Sequence, residues 1–319
     1  MLQGIDGALA ASRAAYLGGC AATSNVLAGR LFGIPVRGTH AHSWVMCFDY
    51  ELEAFRAYAK AMPNNCVFLV DTYSTLDGVR HAIEVGKEMR QQGHEMAGVR
   101  LDSGDLAWLS IEARRMLDEA GFAKATIVAS NDLDEQIISS LKDQGAMIGV
   151  WGVGTRLITA YDQPALGGVY KLAAVRDAQG GWQYKVKLSE QTIKVSNPGI
   201  LQVRRYCQGG EAIGDVILDE QFPIHGDCTI VDPMDMTHRK KIPAGTASED
   251  LLVPVLCQGR RVYHMPCLEE SRNRVQQQLE LFHAGIKRFV NPHEYPVGLE
   301  LGLHERKTKL ILKARGFEP

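Results

Sequence analysis

Residues 67–73 read Val-Phe-Leu-Val-Asp-Thr-Tyr, four apolar residues in a row followed at once by an acid and two hydroxyls. A short continuous apolar run of this kind is the signature of a strand buried on both faces, as in a parallel sheet. Helical patterns flank it: Glu51–Ala61, stopped by Pro63-Asn64-Asn65, and Leu76–Gln92, closed by Gly93. The same unit then recurs. Ala97–Leu101 ends in Asp102-Ser103-Gly104-Asp105 ahead of a helix over Leu106–Ala120, and Thr126–Ala129 ends in Ser130-Asn131-Asp132 ahead of Glu135–Lys142. Met147–Trp151 ends in Gly152-Val153-Gly154-Thr155. Upstream, Ile34–Val36 reads as a further strand whose exit is Gly38-Thr39-His40-Ala41-His42-Ser43-Trp44, preceded by Ala-rich helices over Ala8–Tyr16 and Ala22–Leu31.

Repeated βα units imply a parallel sheet covered by helices. Every strand tip is polar or glycine-rich, which favours a barrel over an open sheet with a single switch point. After Pro164 the pattern changes to antiparallel strands over Tyr170–Val175, Gln183–Leu188, Leu201–Cys207 and Val216–Leu218. A long amphipathic helix follows over Leu268–Phe289, then a basic, partly helical tail through Arg315. The expected fold is α/β: an incomplete or irregular parallel α/β barrel over residues 1–175, a β-rich region over 176–255 and a helical region over 256–319.

Composition narrows the function. The chain has 319 residues, 45% hydrophobic and 23% charged, with a net charge of −2, so no global field points to nucleic acid or a membrane surface. The cluster Arg260, Arg261, Arg272, Arg274, Lys287, Arg288, Arg306, Lys307 and Lys309 reads as a solvated helical surface. Seven cysteines without CxxC spacing argue for reduced thiols in a cytoplasm and against a disulfide frame or structural zinc. No apolar run approaches transmembrane length. His225, His238, His283 and His293 have no metal-ligand spacing and read as surface residues, and Trp44, Trp108 and Trp151 read as core.

The chemistry sits at the strand tips. Gly152-Val153-Gly154-Thr155 offers backbone N–H groups and a hydroxyl at a helix start, the composition of a phosphate nest. Asp71, Asp102, Asp105 and Asp132 each lie just past a strand end, where together they suit ribose hydroxyls or a phosphate-borne Mg²⁺. Taken singly, each is equally a cap for the next helix. Arg100 lies two residues before Asp102 and therefore on the same strand face, so it needs Asp102 or an anionic ligand as partner. His42 and Ser43 are further polar candidates.

These motifs resemble the nicotinate phosphoribosyltransferase family, of type II phosphoribosyltransferase fold. The matching stretches are GCAATSNVLAG, GIPVRGTHAHSWV, FLVDTYSTLDGV, GVRLDSGDL, VASNDLDE, GVGT, GVYKLAAV and KLSEQTIKVSNPG, whose order covers most of residues 1–200. The resemblance implies formation of nicotinate mononucleotide and pyrophosphate from nicotinate and phosphoribosyl pyrophosphate, with coupled ATP hydrolysis, in NAD salvage. It implies Mg²⁺ held through phosphates rather than by a protein cage, and a cytoplasmic homodimer. By motif, His42 corresponds to a histidine phosphorylated by ATP, and Thr39 and Arg100 to contacts with the pyridine carboxylate. Asp71, Asp102 and Asp105 correspond to ribose- and Mg²⁺-linked acids. Asn131, Asp132, Gly152, Gly154 and Thr155 correspond to the 5′-phosphate cradle, and Lys171, Lys187 and Lys194 to approaches to phosphate groups.

In that family a domain precedes this stretch, with an arginine pair and aromatic groups that stack on the pyridine. Here the chain begins Met1-Leu2-Gln3. The expectation is a truncated product, or a chain whose missing part another polypeptide supplies. The competing reading is therefore a catalytically incompetent barrel or subunit that keeps only phosphate binding. An aldolase-like phosphate barrel would need a Schiff-base lysine within a strand tip, and no tip carries one.

Overall fold

A computed structural model describes residues 4–317. Met1, Leu2 and Gln3, on which the expectation of a missing segment turns, lie outside the described residues. The chain forms two compact units that divide between Leu166 and Gly167.

In the first unit, α1 (Gly4–Leu17), α2 (Val26–Phe32), α3 (His42–Met46) and α4 (Glu51–Ala61) precede four repeats of strand and helix: β1 (Val67–Leu69), α5 (Thr75–Gln91), β2 (Gly98–Leu101), α6 (Leu106–Glu119), β3 (Thr126–Ala129), α7 (Glu135–Asp143), β4 (Val150–Trp151) and α8 (Thr155–Ile158). The strands pair in the order β1-β2-β3-β4, all parallel. Their side chains bury against α4–α7 in one core that contains Phe55, Phe68, Val99, Leu101, Leu117, Phe122 and Ile127. The packing is close enough to fix sequence: a Cβ at Gly78 of α5 would overlap the Val70 carbonyl oxygen, so only glycine lets that helix lie on the end of β1.

Register decides where the tips go. Leu69 pairs with Arg100 and Arg100 with Val128, while Leu101 pairs with Ala129 and Ala129 with Trp151. Asp102, Ser130 and Gly152 therefore follow side by side, and Asp71 stands two residues past Leu69 as Asp102 stands two past Arg100.

Ile34–Val36 does not form a strand. Val36 makes a single parallel bridge with Thr23, whose N–H donates to Pro35 O at 2.9 Å while its own carbonyl accepts from Arg37 N–H at 3.0 Å. Pro35 has no N–H to extend a ladder. α2 starts later than the sequence pattern suggests, because the Asn25 side chain caps it by accepting from Ala28 N–H. Trp44 and Trp151 pack on the core, but Trp108 lies on the outer face of α6, 52% exposed.

The second unit holds a hairpin of β5 (Ala174–Arg176) and β6 (Trp182–Tyr184). Then come β7 (Leu201–Gln208), β8 (Glu211–Asp219), β9 (Cys228–Val231), β10 (Arg239–Ile242), β11 (Ala247–Asp250), a short ladder of β12 (Leu256–Cys257) with β13 (Arg260–Arg261), α9 (Leu268–Glu280), β14 (Val297–Glu300) and α10 (Leu301–Ala314). Six of these strands form one sheet in the order β10-β9-β14-β8-β7-β11. β14 is parallel to β8 and antiparallel to β9, so this sheet is not purely antiparallel as expected. The two hairpin strands are shorter than the sequence pattern implies.

The helix expected over Leu268–Phe289 ends at Glu280. A 3₁₀ turn over Ala284–Lys287 replaces its last part, opened by His283, whose side chain accepts from Gly285 N–H. His225, His238, His283 and His293 are all exposed, as read from sequence.

Candidate functional site

The polar tips of the first unit meet in one place. Arg100, in β2, uses its planar guanidinium three ways: Nε donates to Ser130 Oγ at 2.8 Å, Nη1 to Thr39 Oγ1 at 2.9 Å, and Nη2 to Asp102 Oδ1 at 2.9 Å. The Ser130 hydroxyl in turn donates to Asp102 Oδ1. Asp71 is almost fully buried, with its side chain 1% exposed. Its Oδ2 accepts the Asp102 N–H at 2.9 Å and the Ser103 hydroxyl at 2.6 Å, while its Oδ1 has no hydrogen-bond partner.

His42 opens α3 and reaches the same place. Its Nδ1 lies 3.1 Å from Thr72 Oγ1, and its Nε2 lies 3.6 Å from Asp102 Oδ2 and 4.0 Å from Asp71 Oδ1. The loop that delivers it is pinned by His40. That buried ring accepts the Leu69 N–H at Nε2, 3.1 Å away, packs edge-on to Tyr58, and presents Nδ1 to Ala41 O. Burial lowers the His40 pKa, with Arg100 and His42 adding to the effect against the Ala41 carbonyl, so the ring serves as a neutral tether. The Leu69 bond also occupies a backbone donor of β1, the edge strand of its sheet.

Burial acts to raise the Asp102 carboxyl, but the Ser130 hydroxyl, the Arg100 guanidinium and His42 outweigh it and hold the group below its ordinary value. The carboxylate form is thus the one this geometry is built around.

The remaining expected residues divide. Asp105 caps α6, its side chain accepting from Trp108 N–H at 3.1 Å, so the capping reading holds for it. It fails for Asp132, because α7 is capped by Asp134, which accepts from Ile137 N–H at 2.7 Å and pairs with Arg156 Nη1 at 2.8 Å. Asn131 and Asp132 are exposed and left-handed, with φ of 102° and 44°. Asn and Asp are the residues that enter that region most readily outside glycine.

Gly152 spends its N–H on Ala129 O at 2.7 Å, so it supplies space rather than a phosphate donor: a Cβ there would come within 3.2 Å of Ser130 Cβ. Gly154 caps α8 and Thr155 begins it. Ser43 is exposed on α3. Lys171, Lys187 and Lys194 belong to the second unit and are exposed.

Two participants escaped the sequence reading. Ser130 and Thr72 each follow an acid or strand end in the quoted tips. A hydroxyl has no motif of its own, so only the register signalled them.

Comparisons with known proteins identify the family. A model described as the nicotinate phosphoribosyltransferase (NAPRTase) family matches residues 7–179, and one described as the nicotinate phosphoribosyltransferase C-terminal domain matches residues 202–307. Nicotinate phosphoribosyltransferase of Bacillus subtilis (strain 168) is 45% identical over 312 residues, covering 96% of this chain and 63% of that protein. Nicotinate phosphoribosyltransferase of Dictyostelium discoideum is 34% identical over 366 residues, covering 97% and 61%. The chain thus spans less than two thirds of the length of these curated relatives. The crystal structure of human nicotinic acid phosphoribosyltransferase superposes with a TM-score of 0.79 at 28% identity, covering 97% of this chain and 69% of that one. On the family model, which matches more than half of its residues, the chain belongs to the nicotinate phosphoribosyltransferase family.

Proposed function

We propose that this chain carries the phosphoribosyl site of a nicotinate phosphoribosyltransferase of NAD salvage, joining nicotinate to phosphoribosyl pyrophosphate with release of pyrophosphate. The observation that carries this reading is the convergence of His42, Asp71, Arg100 and Asp102 at one end of four parallel strands. Those four strands, in sequential order, are read here as an arc of an incomplete parallel α/β barrel with its site at the carboxyl rim.

Departure of pyrophosphate leaves positive charge on the ribosyl ring, so this chemistry needs positioning and charge stabilisation rather than a protein nucleophile at carbon. Asp71 and Asp102 supply fixed negative charge next to the reacting ring. Arg100 keeps one hydrogen on each of Nη1 and Nη2 beyond its three bonds, and with Thr39 it is assigned to the pyridine carboxylate. Asn131, Asp132, Gly154 and Thr155 are assigned to the 5′-phosphate side. Ser43 and Asp105 are assigned to the substrate-binding side of the same site.

Mg²⁺ fits the acids. Asp71 Oδ1 is a buried oxygen without a hydrogen-bond partner, and Asp102 Oδ2 is likewise not engaged by Arg100 or Ser130, both of which bond Oδ1. A Mg²⁺ would therefore take Asp71 and Asp102 together with phosphate oxygens, and it supplies charge neutralisation of pyrophosphate.

The ATP-coupled step is assigned to His42. With its proton on Nδ1 toward Thr72, Nε2 offers a lone pair to the γ-phosphorus of ATP. The N–P bond forms as the bond from phosphorus to the β,γ-bridging oxygen breaks, and ADP leaves with that electron pair. We take ATP as co-substrate in an ATP-coupled ligase reaction, and a homodimer in the cytoplasm as the working form.

Incubation with γ-labelled ATP should give acid-labile phosphate on the protein that His42→Ala abolishes, and nicotinate mononucleotide should form faster with ATP than without. Persistent labelling of the variant removes His42 from this role. No nicotinate mononucleotide above background from the unaltered protein would favour a unit that keeps phosphate binding alone.

A further inference from the structure

We infer that Ser130 is a positioning residue of this site, whose hydroxyl locks Asp102 and Arg100 into one arrangement and leaves Asp102 Oδ2 toward His42. As it concerns catalysis, the inference rests on the function proposed above. A hydroxyl has one hydrogen to give. Here it goes to Asp102 Oδ1, while the oxygen accepts Arg100 Nε at 2.8 Å. Asp102 Oδ1 also receives Arg100 Nη2 at 2.9 Å, so one carboxylate oxygen takes both bonds and the carboxyl plane is fixed. The other oxygen is then the one 3.6 Å from His42 Nε2.

The serine itself is held from three sides. Only 8% of it is exposed, its N–H donates to Leu101 O at 2.9 Å, and the neighbouring tip carries glycine at 152, where a Cβ would press on Ser130 Cβ at 3.2 Å. The groups facing Asp102 come from every neighbouring tip: Arg100 on its own strand, Ser130 from β3, His42 from α3, and Asp71, which accepts its N–H. Ser130 touches both members of the Arg100–Asp102 pair from the tip of the neighbouring strand. It thus couples the register of β3 to the orientation of the acid.

The test is hydrogen exchange at the Arg100 Nε–H, followed by ¹⁵N NMR in the protein without ligands and assigned from Arg100→Lys. Loss of the hydroxyl that accepts this N–H in Ser130→Ala should speed its exchange roughly tenfold. Ser130→Cys, nearly isosteric but a poor hydrogen-bonding partner, should move it in the same direction and serves if the alanine variant does not fold. In turnover, kcat should fall in Ser130→Ala and be largely recovered in Ser130→Thr, which keeps the hydroxyl. An unchanged Arg100 Nε–H exchange rate in both Ser130→Ala and Ser130→Cys overturns the inference whatever the enzyme does. If the unaltered protein makes no nicotinate mononucleotide, the functional reading falls while the exchange measurement still decides the role of Ser130.

Discussion

His42 and Thr72 come from segments thirty residues apart, yet imidazole Nδ1 and hydroxyl Oγ1 lie 3.1 Å from each other. That bond decides which ring nitrogen faces the carboxylates, because a histidine whose Nδ1 is engaged presents Nε2. Thr72→Val keeps the side-chain shape and removes the hydroxyl. A hydrogen bond of this kind contributes about 1 kcal/mol, so ATP-dependent labelling of His42 should slow roughly five- to tenfold. Thr72→Ser should restore it. Labelling of the valine variant at the unaltered rate would show that the ring is oriented by something else.

Asp102 predicts a pH dependence of stability. Its folded carboxyl is held below the ordinary value near 3.8 against the effect of burial, by Ser130, Arg100 and His42. A depressed folded value means that the unfolded chain binds more protons on acidification. The stabilisation is therefore fully present above about pH 4 and is lost as pH falls through the folded value. Asp102→Asn should be less stable than the unaltered protein by about 1–3 kcal/mol at pH 7, where Arg100 loses an ionised partner. Urea denaturation at pH 7 and near pH 3 should show the gap narrowing, and a gap independent of pH would contradict the assignment. In binding measurements Asp102→Ala should weaken phosphoribosyl pyrophosphate more than nicotinate, and equal losses would count against it.

Gly78→Ala should cost about 3 kcal/mol of stability, at the upper end of overpacking effects, because the new methyl meets the Val70 carbonyl oxygen just past β1. Asp71 directly follows Val70, so the same variant should lose activity beyond its loss of folded protein. Chemical denaturation with a paired activity measurement would separate the two effects. Stability within 0.5 kcal/mol of the parent would mean that α5 can move off the strand end.

The cysteines give a check on the core. Burial pushes the Cys66 thiol up to about 12, and the side chain is closed off from solvent, whereas Cys47, Cys257 and Cys267 are exposed. Reactivity follows thiolate character and access. Iodoacetamide at pH 8 should modify those three in the folded protein and spare Cys66 until denaturant is added. Early modification of Cys66 would mean that β1 opens locally.

The parallel strands were legible because each is a short apolar run between helical patterns, and their tips were legible as polar residues. The Pro35 segment misled because two β-branched residues around a proline look extended, while the missing N–H prevents a ladder. The long helix read over Leu268–Phe289 misled for a related reason: its apolar spacing continues past Glu280, but the His283 side chain takes the Gly285 N–H and opens a new turn. The six-stranded sheet of the second unit hid because β14 contributes four residues and joins β8 from 82 positions away, Val297 pairing with Asp215.

The order of apolar runs and polar tips determined, by itself, a parallel α/β unit with acids, an arginine and a histidine near strand ends, since alternation and run length are local properties of the chain. Which of those groups share one place was decided only in three dimensions. Side-by-side register put Asp71, Asp102, Ser130 and Gly152 on adjoining tips and sent Asp105 to cap a helix instead. Hydrogen bonds between distant segments have no local signature, so Thr72 and Ser130 acquired their partners only when the strands came together.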